Sequence, residues 1–429
     1  MSPIDMARPG ISIARIDPRD TLNGATLSSM NFLNEAAGRY PHAISLAAGR
    51  PPNRFIESHR AAHWLQEYVT LRAKSASGGE ASVWTAVGQY ADTDGTIREL
   101  VAGYVEAVED VPAQQLQLRV TNGFQEALLI ELAQLRLLGG AVITFDPTYV
   151  GLTGAAMVAG VPLFAVASGG DPGTALDEAI MEAKSAGFAH IAAYLIPDYD
   201  NPTGRSMSLV ERTSVLEIAA RHSVTLLEDT AYRLFNFEGA RLPSLLQLDR
   251  EGRVLQLGSF SKVFMPGVRV GFSARRMLST NHSDHGTAIK SFVSVTTSPL
   301  AQAIVGGFLI EMTPRLDEWN AQRVAFCRMN RDIMLETLST HLGELPGVRW
   351  SRPSGGFFLV VQVPFEFDAD STVDMAENEG VIATPMTFFS PSGCFRNEVR
   401  LSFSTNEPAA IRTGVQRFAT YVQRRLRAS

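Results

Sequence analysis

Short apolar runs alternate with stretches of helical spacing between residues 118 and 257, and that alternation predicts most of the fold. The runs at 118–121, 141–145, 161–166, 190–196, 224–227 and 254–257 are too short for helices and mostly lack the polar alternation of a half-exposed strand. Segments 127–138, 176–186 and 209–221 between them repeat apolar residues at helical period. Strands that are apolar on both faces belong to a mostly parallel sheet covered by helices on both sides. Upstream, 59–74 and 96–108 read as helices, the second opened by the loop 88–95 with Asp94 or Thr96 as its cap. Beyond about residue 300 the texture changes. A long helical stretch at 300–342, broken at Thr313-Pro314, leads to strands at 348–350, 355–361 and 399–404, and a helix at 408–427 with a basic last turn closes the chain. That part predicts an α+β domain of its own. Residues 1–40 are read as an N-terminal arm, 41–75 as a first contribution to the small domain, 76–300 as the large domain and 301–429 as the small C-terminal domain.

Composition narrows the functional classes. The chain has 429 residues, 45% hydrophobic and 19% charged, with a formal net charge of −6, so it lacks the clustered basic footprint of a nucleic-acid binder. Its two cysteines, Cys327 and Cys394, are spaced neither as metal ligands nor as a disulfide framework. No apolar run is long enough to span a membrane, and the first residues mix Arg8, Arg15 and Arg19 with Asp5, Asp17 and Asp20 instead of carrying an apolar signal core. The expected location is the cytoplasm.

In parallel sheets, ligands gather beyond the carboxyl ends of the strands. Gly123, Tyr149, Asn201, Asp229 and Lys262 all fall there. The densest stretch is Ser259-Phe260-Ser261-Lys262, followed by the turn Pro266-Gly267, then Arg269 and Gly271. A lysine among small and apolar residues loses hydration, which favours its neutral, nucleophilic amine. Serine hydroxyls and a guanidinium seven positions after the lysine suit a phosphate. A carbonyl-reactive lysine beside a phosphate clamp points to pyridoxal phosphate held as a Schiff base. Asp229, closing a buried strand, is costly without a partner; a protonated pyridine nitrogen would be one, and a strand-end carboxylate capping a loop is the other reading. Tyr232 and Asn201 suit a phenolate oxygen, although Asn201 also begins a good turn, Asn-Pro-Thr-Gly. Gly123, Phe124 and Gln125 open a helix whose first amides would bind phosphate. Tyr149 would stack on a ring or simply pack. Arg400, on a strand of the second domain, offers a bidentate clamp for a carboxylate if it faces the cleft. Gly49 allows close backbone approach and Arg50 brings a cation to the same turn, which reads equally as a surface turn.

The Ser-x-Ser-Lys-x-x-x-Pro-Gly-x-Arg-x-Gly block, after Asn-Pro-Thr-Gly and Asp-x-x-Tyr, resembles the fold-type I pyridoxal-phosphate enzymes of the class I/II aminotransferase family, from about residue 40 to the end. The resemblance implies an α/β fold, with a sheet of seven-stranded type in the large domain. It implies Lys262 as Schiff-base lysine and general base, Asp229 on the pyridine nitrogen, Asn201 and Tyr232 at the ring hydroxyl, and Tyr149 stacked on the ring. Ser259, Ser261, Arg269 and the amides after Gly123 would hold the phosphate. Tyr90 would reach the partner subunit's phosphate in a homodimer with shared sites, and Arg400 would grip the substrate α-carboxylate. The activity implied is transfer of an amino group from an L-amino acid to a 2-oxo acid. The alternative is elimination, replacement, cyclisation or an oxidative reaction on the same cofactor. The chain departs from the pattern in three places: Phe124 replaces a small residue, Thr230 replaces a commoner acidic one, and Arg50 adds a cation. Some transcription regulators carry a similar domain behind a DNA-binding one. Here only about 40 residues precede the match, with no basic recognition helix, so an enzyme is expected.

Overall fold

The computed structural model describes residues 11–18, 32, 35–36, 38–167, 170–277 and 284–428. Its strands are β1 (Ile13–Ile16), β2 (Ile44–Ser45), β3 (Leu116–Thr121), β4 (Ala141–Asp146), β5 (Leu163–Ala167), β6 (Ile191–Leu195), β7 (Thr225–Asp229), β8 (Val254–Ser259), β9 (Gly271–Arg276), β10 (Arg349–Trp350), β11 (Phe358–Gln362), β12 (Val381–Ile382), β13 (Thr384–Pro385) and β14 (Glu398–Ser402). The large sheet runs in the order β1-β5-β4-β6-β7-β8-β9-β3. Strands β4 to β8 are parallel to their neighbours within that group, whereas β9 is antiparallel to both β8 and β3.

The pleat explains why the central strands are apolar throughout. Val142 points into a layer with the helix Phe124–Leu137 and Leu152, while Ala141 and Ile143 point into the opposite layer with Ala179, Val215 and Phe308. Either face left polar would strand unpaired groups between sheet and helix.

Several elements depart from the expectations. The arm contributes a strand: β1 pairs antiparallel along the edge of β5, from Ile13 opposite Val166 to Ile16 opposite Leu163. The seven strands expected from the resemblance are present as β3 to β9, and among the described residues β1 adds an eighth at the edge. A four-residue edge strand carries almost no periodicity, and its pairing partner lies far along the chain. The helices Gly79–Val87, Val150–Ala159 and Ala369–Asn378 and the strand β9 were not foreseen either. The helix expected at 96–108 spans Arg98–Glu109 and receives no side-chain cap. Asp94 instead accepts from Arg119 Nε at 3.1 Å and Thr287 Oγ1 at 2.9 Å, a long-range pairing that outcompetes local capping.

A second sheet, β10-β11-β14-β13, packs against the helices Leu316–Leu342 and Pro408–Ala428 in its own apolar cluster. Strand β2 pairs parallel with β12 and so joins this half of the molecule. The helix Ala61–Ala73 does not: Trp64, Tyr68 and Val69 pack in the large sheet's cluster, with Trp64 edge-on to Phe264 and Phe308. Packing thus changes sides before residue 61, and the expected cut after 75 passes through one core. Among the described residues, no helix is long and apolar enough to cross a membrane.

Candidate active site

The carboxyl ends of β4, β7 and β8 and the loop after β6 open into a cavity of about 350 Å³ that the second sheet closes from above. Phe124, Gln125, Tyr149, Asn201, Asp229, Tyr232, Ser259, Ser261, Lys262 and Arg269 line it from the large-sheet side. Gly49, Arg50 and Arg400 line it from the other. Two expected residues do not line it. Gly123 sits behind the Arg269 guanidinium, and Tyr90 stands away from the cavity, 83% exposed in the single chain.

At the centre, the Lys262 amine donates to the Gly49 carbonyl at 2.7 Å and lies 5.6 Å from the centre of the Tyr232 ring. Burial pulls its pKa down to about 8, and the charges of Arg400, Arg269 and Arg50 pull the same way against the opposing pull of Asp229. The Asp229 carboxylate, ending β7, has both oxygens engaged. Oδ1 accepts from the Ala231 amide at 2.9 Å and Oδ2 from the Tyr194 hydroxyl at 2.6 Å. Burial raises its pKa to about 6 despite those bonds and nearby Lys262. Tyr232 is buried edge-on to Phe357 and Phe358, and burial holds its phenol protonated. Burial, helped by Asp229, likewise pushes the Tyr149 phenol up to about 12.

One end of the cavity is built for an anion. The helix Phe124–Leu137 begins at Gly123, whose φ of +77° suits glycine and which offers no side-chain cap to the first amides. Glu126, in the first turn, reaches back to the amide of Asn122 at 2.6 Å rather than across the helix mouth. A Cβ on Gly123 would lie 2.7 Å from Arg269 Nη2, and one on Gly271 2.6 Å from the Gly123 carbonyl carbon. The two glycines thus let strand, turn and guanidinium close together. Arg269 donates to Ser261 Oγ at 3.3 Å, and the Ser261 amide donates to Ser259 Oγ at 3.1 Å, so Ser261 links the guanidinium to the Ser259 end of β8. Phe124 turns its ring edge-on to Tyr149, 6.1 Å between centres, and gives the anion no donor.

The other end holds Arg400. Its guanidinium lies between the rings of Phe358 (4.1 Å) and Phe389 (4.4 Å) and donates to Asn201 Oδ1 at 2.6 Å and the Ala47 carbonyl at 2.7 Å. Its Nε is buried without a hydrogen-bond partner, and burial lowers its pKa to about 10. The bond to Arg400 also fixes the Asn201 amide. Arg50 is held by its backbone, which accepts from Ser404 Oγ at 2.7 Å, and its side chain is exposed at the cavity mouth. Sequence reasoning missed Tyr194, Phe358, Thr384, Phe388 and Phe389. All five read as core or turn residues, and only the paired FF after Pro385 hinted at an exposed aromatic wall.

Residues 61–418 match the family described as aminotransferase class I and II. The (S)-3,5-dihydroxyphenylglycine transaminase of Amycolatopsis orientalis is 38% identical over 422 residues, 95% of each chain. The 2-aminoadipate transaminase of Thermus thermophilus is 31% identical over 392 residues, 88% of this chain and 89% of that one. A solved alpha-aminoadipate aminotransferase from Thermus thermophilus, complexed with N-(5'-phosphopyridoxyl)-L-leucine, matches at a TM-score of 0.75 and 27% identity, covering 96% of this chain and all of that one. The chain belongs to the class I and II aminotransferases, fold-type I transferases that depend on pyridoxal phosphate.

Proposed function

We propose that this aminotransferase acts on aromatic L-amino acids, arylglycines among them, through the residues gathered in the cavity. The observation that carries the substrate reading is the aromatic wall: Tyr149, Tyr232, Phe358, Phe388 and Phe389 line the space beside Lys262 and Arg400. A flat side chain gains offset or edge-on ring contacts there. The similarity to a dihydroxyphenylglycine transaminase supports the same reading.

The residues present fit pyridoxal phosphate. Unsatisfied helix amides, Arg269 and two serine hydroxyls suit its phosphate, and the buried Asp229 suits a protonated ring nitrogen. Tyr149 suits a face of the ring, and Asn201 with Tyr232 the ring oxygen. When bound, the cofactor supplies an electron sink for the pair released from the substrate Cα–H bond. Arg400 holds the substrate carboxylate, its guanidinium oriented by the bonds to Asn201 and the Ala47 carbonyl and by the flanking rings, with Nε still free to donate. Lys262 Nζ, with its pKa pulled toward neutrality, carries the substantial free-amine fraction needed to take the Cα proton. Tyr90, exposed and outside its own cavity, is assigned to a second copy's phosphate in a homodimer.

The test is an amino-donor panel (phenylglycine, 4-hydroxy- and 3,5-dihydroxyphenylglycine, phenylalanine, tyrosine, 2-aminoadipate, aspartate, alanine) against several 2-oxo acids, with 2-oxo acid release measured. Aromatic donors are expected to exceed the aliphatic and acidic ones in kcat/KM by at least tenfold. A preference for 2-aminoadipate or aspartate would overturn the substrate assignment and leave the residue roles standing.

A further inference from the structure

Tyr194 does not line the cavity; it lies one residue before the end of β6, with 1% of its surface exposed. It is paired with Leu227 of β7 and packs in the apolar layer containing Leu227, Leu255 and Leu257. A phenylalanine would fill that space without a polar atom to satisfy. A phenol in such a layer is costly unless its hydroxyl is bonded, and the bond the structure gives it is the 2.6 Å contact to Asp229 Oδ2.

That contact changes what Asp229 can do. With Oδ1 on the Ala231 amide and Oδ2 on the Tyr194 hydroxyl, the carboxylate is held at both oxygens, and the remaining lone pairs face the cavity. We infer that Tyr194 is a positioning residue for the transamination, aiming the Asp229 carboxylate from behind and keeping it ionised for the ring nitrogen of the cofactor. The inference rests on the site assignment above. The other charged or titratable groups facing Asp229 are Lys262 after β8, Tyr149 at the head of the helix Val150–Ala159, Tyr232 on its own loop and Asp200 after β6. Of these only Lys262 favours the charged carboxylate, so Tyr194 is the main hydrogen-bonding side chain opposing burial.

The experiment measures pyridoxal phosphate affinity of the cofactor-free protein from pH 5 to 8.5 for wild type, Tyr194→Phe and Asp229→Asn. A fourth protein carries 3,5-difluorotyrosine at position 194, a stronger donor of nearly the same shape. In wild type, affinity falls as acid protonates Asp229. Losing one charge-assisted bond should move that midpoint up by about one pH unit in Tyr194→Phe, about tenfold weaker binding at pH values below it. The fluorinated residue should move it down, and Asp229→Asn should abolish the midpoint. Melting curves of the cofactor-free proteins report whether each is folded, and the fluorinated protein keeps the test alive if the phenylalanine variant is not. An unchanged midpoint in both folded Tyr194 variants, with wild type binding normally, overturns the inference alone. A wild-type protein that does not bind pyridoxal phosphate overturns the site assignment instead.

Discussion

Replacing Arg400 with lysine keeps a cation and removes everything else the site has built around it. The guanidinium is stacked between Phe358 and Phe389, donates to Asn201 and to the Ala47 carbonyl, and has an Nε left over. Lysine offers a point charge in place of a planar fork, so one of two charge-assisted bonds to a substrate carboxylate is lost, about 1.5–3 kcal/mol. Weaker stacking on the two rings adds roughly 1 kcal/mol. The sum predicts a fall in kcat/KM of about two to three orders of magnitude. Most of it should sit in KM, because the carboxylate is gripped in the ground state and transition state alike. A second signature follows from burial. The same surroundings lower the arginine from 12.5 to about 10. An equal penalty on a lysine, starting near 10.4, brings it to about 8. Since a lysine loses its charge as pH rises through its pKa, KM of Arg400→Lys should climb above pH 8. Wild type, still charged there, should show no such climb below pH 9. Steady-state kinetics with a saturating 2-oxo acid between pH 6.5 and 9 decide the matter. A KM within threefold of wild type and flat with pH would falsify the assignment of Arg400 to the carboxylate.

Three further perturbations test other parts of the site. Gly123→Ala places a methyl 2.7 Å from Arg269 Nη2 at a φ of +77°, and should weaken pyridoxal phosphate binding at least tenfold in an equilibrium titration, with less effect on KM for the amino donor. If the paired sites share Tyr90, inactive Tyr90→Ala and Lys262→Ala proteins, unfolded and refolded together, should regain about a quarter of wild-type activity, since half the dimers would then hold one intact site; no recovery despite mixed dimers on native mass spectrometry rejects the sharing. Labelling of Lys262 by a small neutral amine reagent, followed by mass spectrometry, should speed up as pH rises to about 8 and then level off in the cofactor-free protein. Adding inorganic phosphate should move that midpoint upward, and no movement would show that phosphate does not reach the Arg269 corner.

The core of the site is legible in the sequence because one short stretch carries so much of it. Ser259, Ser261, Lys262 and Arg269 lie on a single strand end and turn, so their spacing nearly fixes their arrangement. Asp229 and Asn201 were readable for a similar reason: Asp229 ends an apolar strand and Asn201 lies in the loop that follows another, and strand ends of a parallel sheet converge. What the sequence could not supply were contacts between distant segments. Tyr194 looks like any core aromatic until β6 and β7 are paired. Phe358 and Phe389 acquire their role only when β11 and the turn after β13 bring them to opposite faces of one guanidinium. Asp94 misled for the converse reason. It stood where a helix cap belongs, and Arg119, held through the sheet, bound it instead.

The charges around Lys262 also explain why a cation-rich pocket is compatible with a basic amine. Arg50, Arg269 and Arg400 all lower its pKa, and without them burial would act largely alone against Asp229. That arrangement favours a neutral, nucleophilic amine when the pocket holds only protein. The proposed ligands are anions, a phosphate at Arg269 and a carboxylate at Arg400, and each cancels part of the field that weakens the amine's hold on a proton. On the proposed assignment, filling the site therefore raises the basicity of Lys262 at the point where it would accept the Cα proton. Arg269 and Arg400, which on that assignment would draw in the phosphate and the carboxylate, also hold the Lys262 pKa down until both anions are seated.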